Sequence, residues 1–174
     1  MRWFKMCSGA MQEKNLYLKL RCLHSLAQIK PHIIELFQNL LSSILQNEIS
    51  REVVMMTVES HDLFTGMCEI IALVSDDHQH LGRQEKYDNC IYSNHSESRN
   101  RIVVIESVKE HPGYLSLDGR VKSEIFVEYS FSDSINLILN AEFSTTNISN
   151  EMKKWFNQMC RIFFEEKNKT NNLF

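Results

Sequence analysis

The chain predicts an α+β domain: a central antiparallel sheet of five or six strands, with the N- and C-terminal helices on one face of it. Three observations carry this. Residues 102–105, 124–131 and 135–143 are β-rich runs divided by turn residues, and only Ser132, Asp133 and Ser134 part the last two, as in a hairpin. Within the second run Ile125, Val127, Tyr129 and Phe131 alternate with Glu124, Glu128 and Ser130, the period of a strand that buries one face. Apolar residues recur at helical spacing toward both chain ends.

In chain order, residues 1–14 carry little pattern. Over 15–29, Leu16, Leu20, Leu23 and Ala27 fall at spacings of four, three and four, a helical stripe widened by Leu18, Cys22, Leu26 and Ile29. Pro31 interrupts it and suits the first turn of a second helix. That helix carries Ile33, Ile34, Phe37, Leu40, Leu41, Ile44 and Leu45 and ends near Asn47. The first stripe serves either the core or a dimer seam, and it is too short for a coiled coil on its own. Residues 53–58 and 67–74 read as two antiparallel strands, with a turn-like linker over 59–66 and a short helix over 52–58 as the alternative for the first. Residues 76–100 are polar, rich in Asp, His, Asn and Ser, and read as a long loop or lid with a short helix near 87–91. Ser149 can cap a final helix whose Met152, Trp155, Phe156, Met159, Cys160 and Phe163 share one face. The organisation expected is a helical lead-in over 1–29, one domain over 30–167 and a flexible tail over 168–174.

At 43% hydrophobic the 174 residues can bury a core, and a net charge of −3 argues against gripping a nucleic-acid backbone. No run approaches the apolar length of a membrane span, and the N-terminus lacks a signal-peptide pattern. Five scattered cysteines without a C-x-x-C pair fit a reduced, cytoplasmic protein better than a disulfide framework. Asp76, Asp77, His78, His80, Cys90 and His95 contain one His-x-His but no second matching pair, so a solvated loop is expected there, with no metal. No Ser-His-Asp ordering, P-loop or G-x-G-x-x-G is present, and no cofactor follows from the residues.

The stretch beginning at Arg101 also resembles a known family. An apolar strand over 101–107, a His111-Pro112-Gly113-Tyr114 turn, Ser123-Glu124-Ile125 opening a strand, and a hairpin ending Leu139-Asn140-Ala141-Glu142 resemble the second half of a GAF domain. The likeness covers 101–164 and is only architectural over 30–74. The chain departs from the pattern at Glu128, where the family has Pro before the hairpin, and over 134–139, where its glycine is absent. Among GAF proteins the chain looks most like free methionine-R-sulfoxide reductases. Glu124 and Glu142 match their substrate-holding carboxylates, but Ser93 and Leu117 stand where cysteines are expected, and Cys90 is displaced from the first of these.

The resemblance implies a GAF-like sensory or regulatory module in signal transduction that binds a small molecule or mediates protein interaction. The alternative is a reductase using the displaced Cys90. The expectation is a non-enzymatic domain that acts through a homodimer, formed through residues 15–29, or a partner protein, and that engages neither nucleic acid nor membrane. Any ligand is expected between the loops over 76–100 and 109–120, against Tyr114, Ser123, Glu124, Phe126 and Glu142. There the two carboxylates favour a cationic or hydrogen-bond-donating group.

Overall fold

The computed structural model describes residues 17–20, 52–75, 79–111, 114 and 118–171, with side chains described between 52 and 161. Its strands are β1 (Tyr17–Leu20), β2 (Val53–Asp62), β3 (Met67–Ser75), β4 (Gln84–Lys86), β5 (Val103–Ile105), β6 (Ser123–Ser130) and β7 (Ile135–Phe143), followed by helix α1 (Asn150–Asn171). Six strands run in the order β1-β3-β2-β7-β6-β5, and β4 pairs with β3. All pairings are antiparallel. Since β2 occupies one edge of β3, β1 and β4 lie end to end along the other.

The C-terminal helix is the one expected. The Ser149 hydroxyl accepts a hydrogen bond from the Met152 amide at 3.2 Å, the N-cap geometry that satisfies an otherwise orphaned donor. Met152, Trp155, Phe156, Met159 and Cys160 are buried against Val127, Tyr129, Leu137, Leu139 and Phe143 of the sheet. Removing the cap with Ser149→Ala should cost about 1 kcal/mol. An unchanged urea midpoint would count against that capping role.

The N-terminal reading needs a correction. Tyr17–Leu20 lies within the expected helical stripe, yet it is a strand paired with Ala72–Ser75 of β3. The four residues also satisfy period two, with Leu18 and Leu20 alternating with Lys19. An open sheet edge supplies backbone partners that a local helix preference cannot outweigh. The rest of the stripe, the helix after Pro31 and residues 172–174 of the tail lie outside the described residues.

The sheet is buried on both faces. Ile125, Val127 and Tyr129 of β6 join the core under α1, as do Leu137, Leu139 and Ala141 of β7. The intervening Glu124, Phe126 and Glu128, and Asn136, Ile138, Asn140 and Glu142, are also buried. What covers them is the polar stretch after β4, which folds into 3-10 turns at Tyr87–Asn89 and Ile91–Ser98. Its few apolar residues, Tyr87, Ile91 and Tyr92, point inward and form a second core with Val54, Leu73, Phe126 and Ile138.

A bulge sets which β3 residues reach this second face. Val58 pairs with Ala72 and Glu59 with Ile70, so Ile71 is the extra residue. Ile71, Ala72 and Val74 serve the α1 core, whereas Leu73, Ile70 and Cys68 serve the other. With strict alternation from Leu73, Cys68 and Ile70 would face α1.

Candidate functional site

Between the second sheet face and the 3-10 segment lies a cavity of about 70 Å3. Glu59 of β2, Glu124 of β6 and Glu142 of β7 line it, with Cys68, Ile70, Tyr92, Cys90 and Tyr114. Arg83, Glu85 and Asn89 sit at its more exposed side. Glu124 and Glu142 are directly opposed across the β6–β7 pair, an arrangement that is unfavourable when both are charged.

The three carboxyl groups differ in their donors. Glu59 accepts hydrogen bonds from the Tyr92 hydroxyl at 2.6 Å and the Thr57 hydroxyl at 3.0 Å. Burial raises its pKa, and these two donors partly counter the rise. Glu142 receives one weak bond, from the Asn140 amide at 3.3 Å, which leaves its second oxygen without a partner among the described residues. Burial first and the Glu59 charge second push it up to about 8. Both oxygens of Glu124 are buried without a hydrogen-bond partner among the described residues. Burial, then Glu142, then Glu59 raise its pKa well above the ordinary carboxylate value. The nearby Asn140 amide counters this rise only in small part; it reaches neither Glu124 oxygen at hydrogen-bond geometry and donates instead to the Tyr92 hydroxyl at 3.1 Å.

Glu128, two residues along β6 on the same face, shows what donors do. It accepts from Asn136 Nδ2 at 2.8 Å, the Tyr87 hydroxyl at 2.7 Å and His61 Nδ1 at 3.0 Å. Burial pushes its pKa up, but these three bonds and the more distant Arg99 guanidinium bring it below the ordinary value. Tyr87 also stacks on His61, with ring centroids 3.8 Å apart and planes 6° from parallel. The segment over the cavity is therefore tied to the sheet by Tyr87 on Glu128 and Tyr92 on Glu59.

Of the residues expected to meet a ligand, Tyr114, Glu124 and Glu142 line the cavity. Ser123 is fully buried and donates to the Thr145 carbonyl at 2.6 Å, outside the lining. Phe126 is core, packed edge-on against Tyr92 at 4.8 Å. Sequence reading missed Glu59, Cys68 and Tyr92. Glu59 sat in a stretch that reads as a turn, Cys68 depends on the bulge, and Tyr92 stood in a polar loop where a single aromatic residue carries no period. Among the described residues no group of three or more His, Cys, Asp and Glu side chains is placed to hold a metal ion. Asp76, Asp77 and His78 lie outside them. His95 Nε2 lies 3.0 Å from His111 Nε2. No described helix is long and apolar enough to cross a membrane.

No protein-family model matches the chain, and no curated protein matches it significantly. Solved structures do. The free methionine-R-sulfoxide reductase from Neisseria meningitidis, in complex with its substrate, superposes with a TM-score of 0.54 at 14% identity, over 70% of this chain and 71% of that one. The reduced fRMsr of Staphylococcus aureus gives 0.52 at 17% identity, over 67% and 72%. The GAF domain from an Acinetobacter phosphoenolpyruvate-protein phosphotransferase gives 0.55 at 10% identity, over 82% and 96%. The chain thus has the GAF-like fold.

Proposed function

We propose that this GAF-like domain is a regulatory module that binds a small molecule by a cationic group, and that it has no catalytic turnover of its own. The observation that supports this most is Glu124, a buried carboxyl group with no hydrogen-bond donor on either oxygen among the described residues, directly across from a half-satisfied Glu142. A buried acid without donors stays protonated, and an ammonium or amidinium group would supply both the counter-charge and the hydrogen bonds it lacks. A cavity of about 70 Å3 admits such a head group and leaves a larger body at the open side. Output would pass to a partner protein or a second copy of the chain, in the cytoplasm.

Thermal-shift screening against amino acids, nucleotides and bilins tests this. Stabilising compounds should share a cationic group, and their affinity should rise as pH approaches about 8, where Glu142 ionises. Glu124→Ala should cost about 1.5–3 kcal/mol of binding, roughly tenfold to a hundredfold in Kd. Hits that are uniformly anionic, or binding indifferent to Glu124→Ala, would refute the reading.

One observation favours a second reading, an enzyme resembling the reductases. Cys90, displaced in sequence from the family position, still lines the cavity. Turnover of free methionine-R-sulfoxide with a thiol reductant, lost in Cys90→Ser, would establish that reading in place of the first.

A further inference from the structure

Two thiols share the cavity wall. Cys68 lies on β3, 2% exposed, and is turned to this face by the Ile71 bulge. The chain then returns through β4, where Glu85 pairs with Cys68, and turns at Tyr87–Asn89. That turn brings Cys90 back over β3, where it is half-buried and lines the same cavity wall as Cys68. Cys90 Sγ also lies 3.3 Å from the Lys86 carbonyl oxygen. Both side chains line the cavity that holds the Glu124 carboxyl group.

We propose that Cys68 and Cys90 are a reversible redox pair, which a hydroperoxide converts to a disulfide that pins the 87–98 segment to β3 over the carboxylate cavity. The order of events follows from exposure. Cys90 is the thiol that solvent and oxidant can reach. The Cys90 contact first, then burial, then the nearby Glu59 charge raise the pKa of Cys68, which keeps it a thiol and a poor first target. The Cys90 thiolate attacks one peroxide oxygen. An S–O bond forms, the O–O bond breaks, and the departing oxygen leaves as an alcohol, or as water from hydrogen peroxide, with the proton the thiol gave up. The Cys68 sulfur then attacks the Cys90 sulfur. An S–S bond forms, the S–O bond breaks, and the hydroxyl leaves as water with the Cys68 proton. Two thiols and one hydroperoxide give one disulfide, one alcohol or water, and one water, and a dithiol reductant reverses the change.

A covalent bond at this position would join the covering segment to the sheet beside its two tyrosine anchors, limiting how far it opens. That consequence rests on the reading of the cavity as a ligand site, whereas disulfide formation does not. The reduced full chain is therefore treated with equimolar hydrogen peroxide, its remaining thiols are blocked with N-ethylmaleimide, and its peptides are mapped by mass spectrometry. The expected product is a Cys68–Cys90 linked peptide lacking two hydrogens, restored by dithiothreitol, with slower limited proteolysis inside 87–98. In Cys68→Ser a sulfenic acid should persist on Cys90 and be captured by dimedone. Cys68 still fully alkylated after treatment, Cys90 carried on to sulfinic acid, or linkage of either residue to Cys7, Cys22 or Cys160 would overturn the proposal. A wild-type disulfide that forms while no compound stabilises either redox state would defeat the ligand reading alone.

Discussion

The melting temperature of the ligand-free protein is expected to fall as pH rises from about 5 to about 8, and Glu142→Gln is expected to remove much of that fall. The folded state holds the Glu142 proton up to about pH 8, while the unfolded chain releases it near the ordinary value of 4.5. A group whose folded pKa is raised contributes stability that is present in full below the unfolded value. That contribution is lost as pH climbs through the window and is gone above the folded value. At about 1.4 kcal/mol per unit, the span corresponds to a loss on the order of 5 kcal/mol from this one group. Gln copies the shape of the protonated acid and cannot ionise, so the variant should match wild type near pH 5 and exceed it near pH 8. Other groups titrate across the range, so the difference between variant and wild type is the quantity to follow. Parallel curves for the two proteins would refute the account. Glu128 acts at the opposite end. Its lowered pKa gives stability present above the ordinary carboxylate value and lost as pH falls through the lower folded value, a contribution to acid unfolding outside the Glu142 window.

Glu128→Ala should destabilise the fold by about 3–5 kcal/mol, because it leaves the Tyr87 hydroxyl, the Asn136 amide and His61 Nδ1 without their shared acceptor. The Arg99 contact adds little to this figure, since it is long at 3.9 Å and the guanidinium is 42% exposed. The loss should be uneven. Amide exchange should rise most over 87–98, where Tyr87 is an anchor of the segment, and least in β7 and α1. Glu128→Gln keeps part of the acceptor geometry and should fall between the two. A denaturant midpoint for the Ala variant equal to wild type, with exchange over 87–98 unchanged, would show that the network does not hold the segment down.

The hairpin of β6 and β7 and the helix from Asn150 were legible because their signals are local. Period two, a short turn and an N-cap serine are all written within a few residues of the structure they specify. The resemblance to the GAF pattern pointed to Glu124 and Glu142, and in the structure the hairpin register sets them opposite each other. The polar side of β6 carries no local sign of what covers it, and in the structure that face is buried. Residues 79–100 carry no apolar period, yet Tyr87, Ile91 and Tyr92 are enough to seat them on the sheet. What makes the polar sequence compatible with burial is its pairing with distant partners, Tyr92 with Glu59 and Tyr87 with Glu128.

By itself the sequence determined the α+β class, the central hairpin and the capped C-terminal helix, all features whose physics is short in range. Only the tertiary structure decided that Tyr17–Leu20 is a strand, because an edge of β3 offers it backbone partners. It alone turned Cys68 toward Cys90, through one extra residue in β3. It also separated the buried acids of one face into Glu128, which has three donors, and Glu124, which has none at hydrogen-bond distance among the described residues, because charge state in a low-dielectric interior depends on which donors the fold brings within about 3 Å.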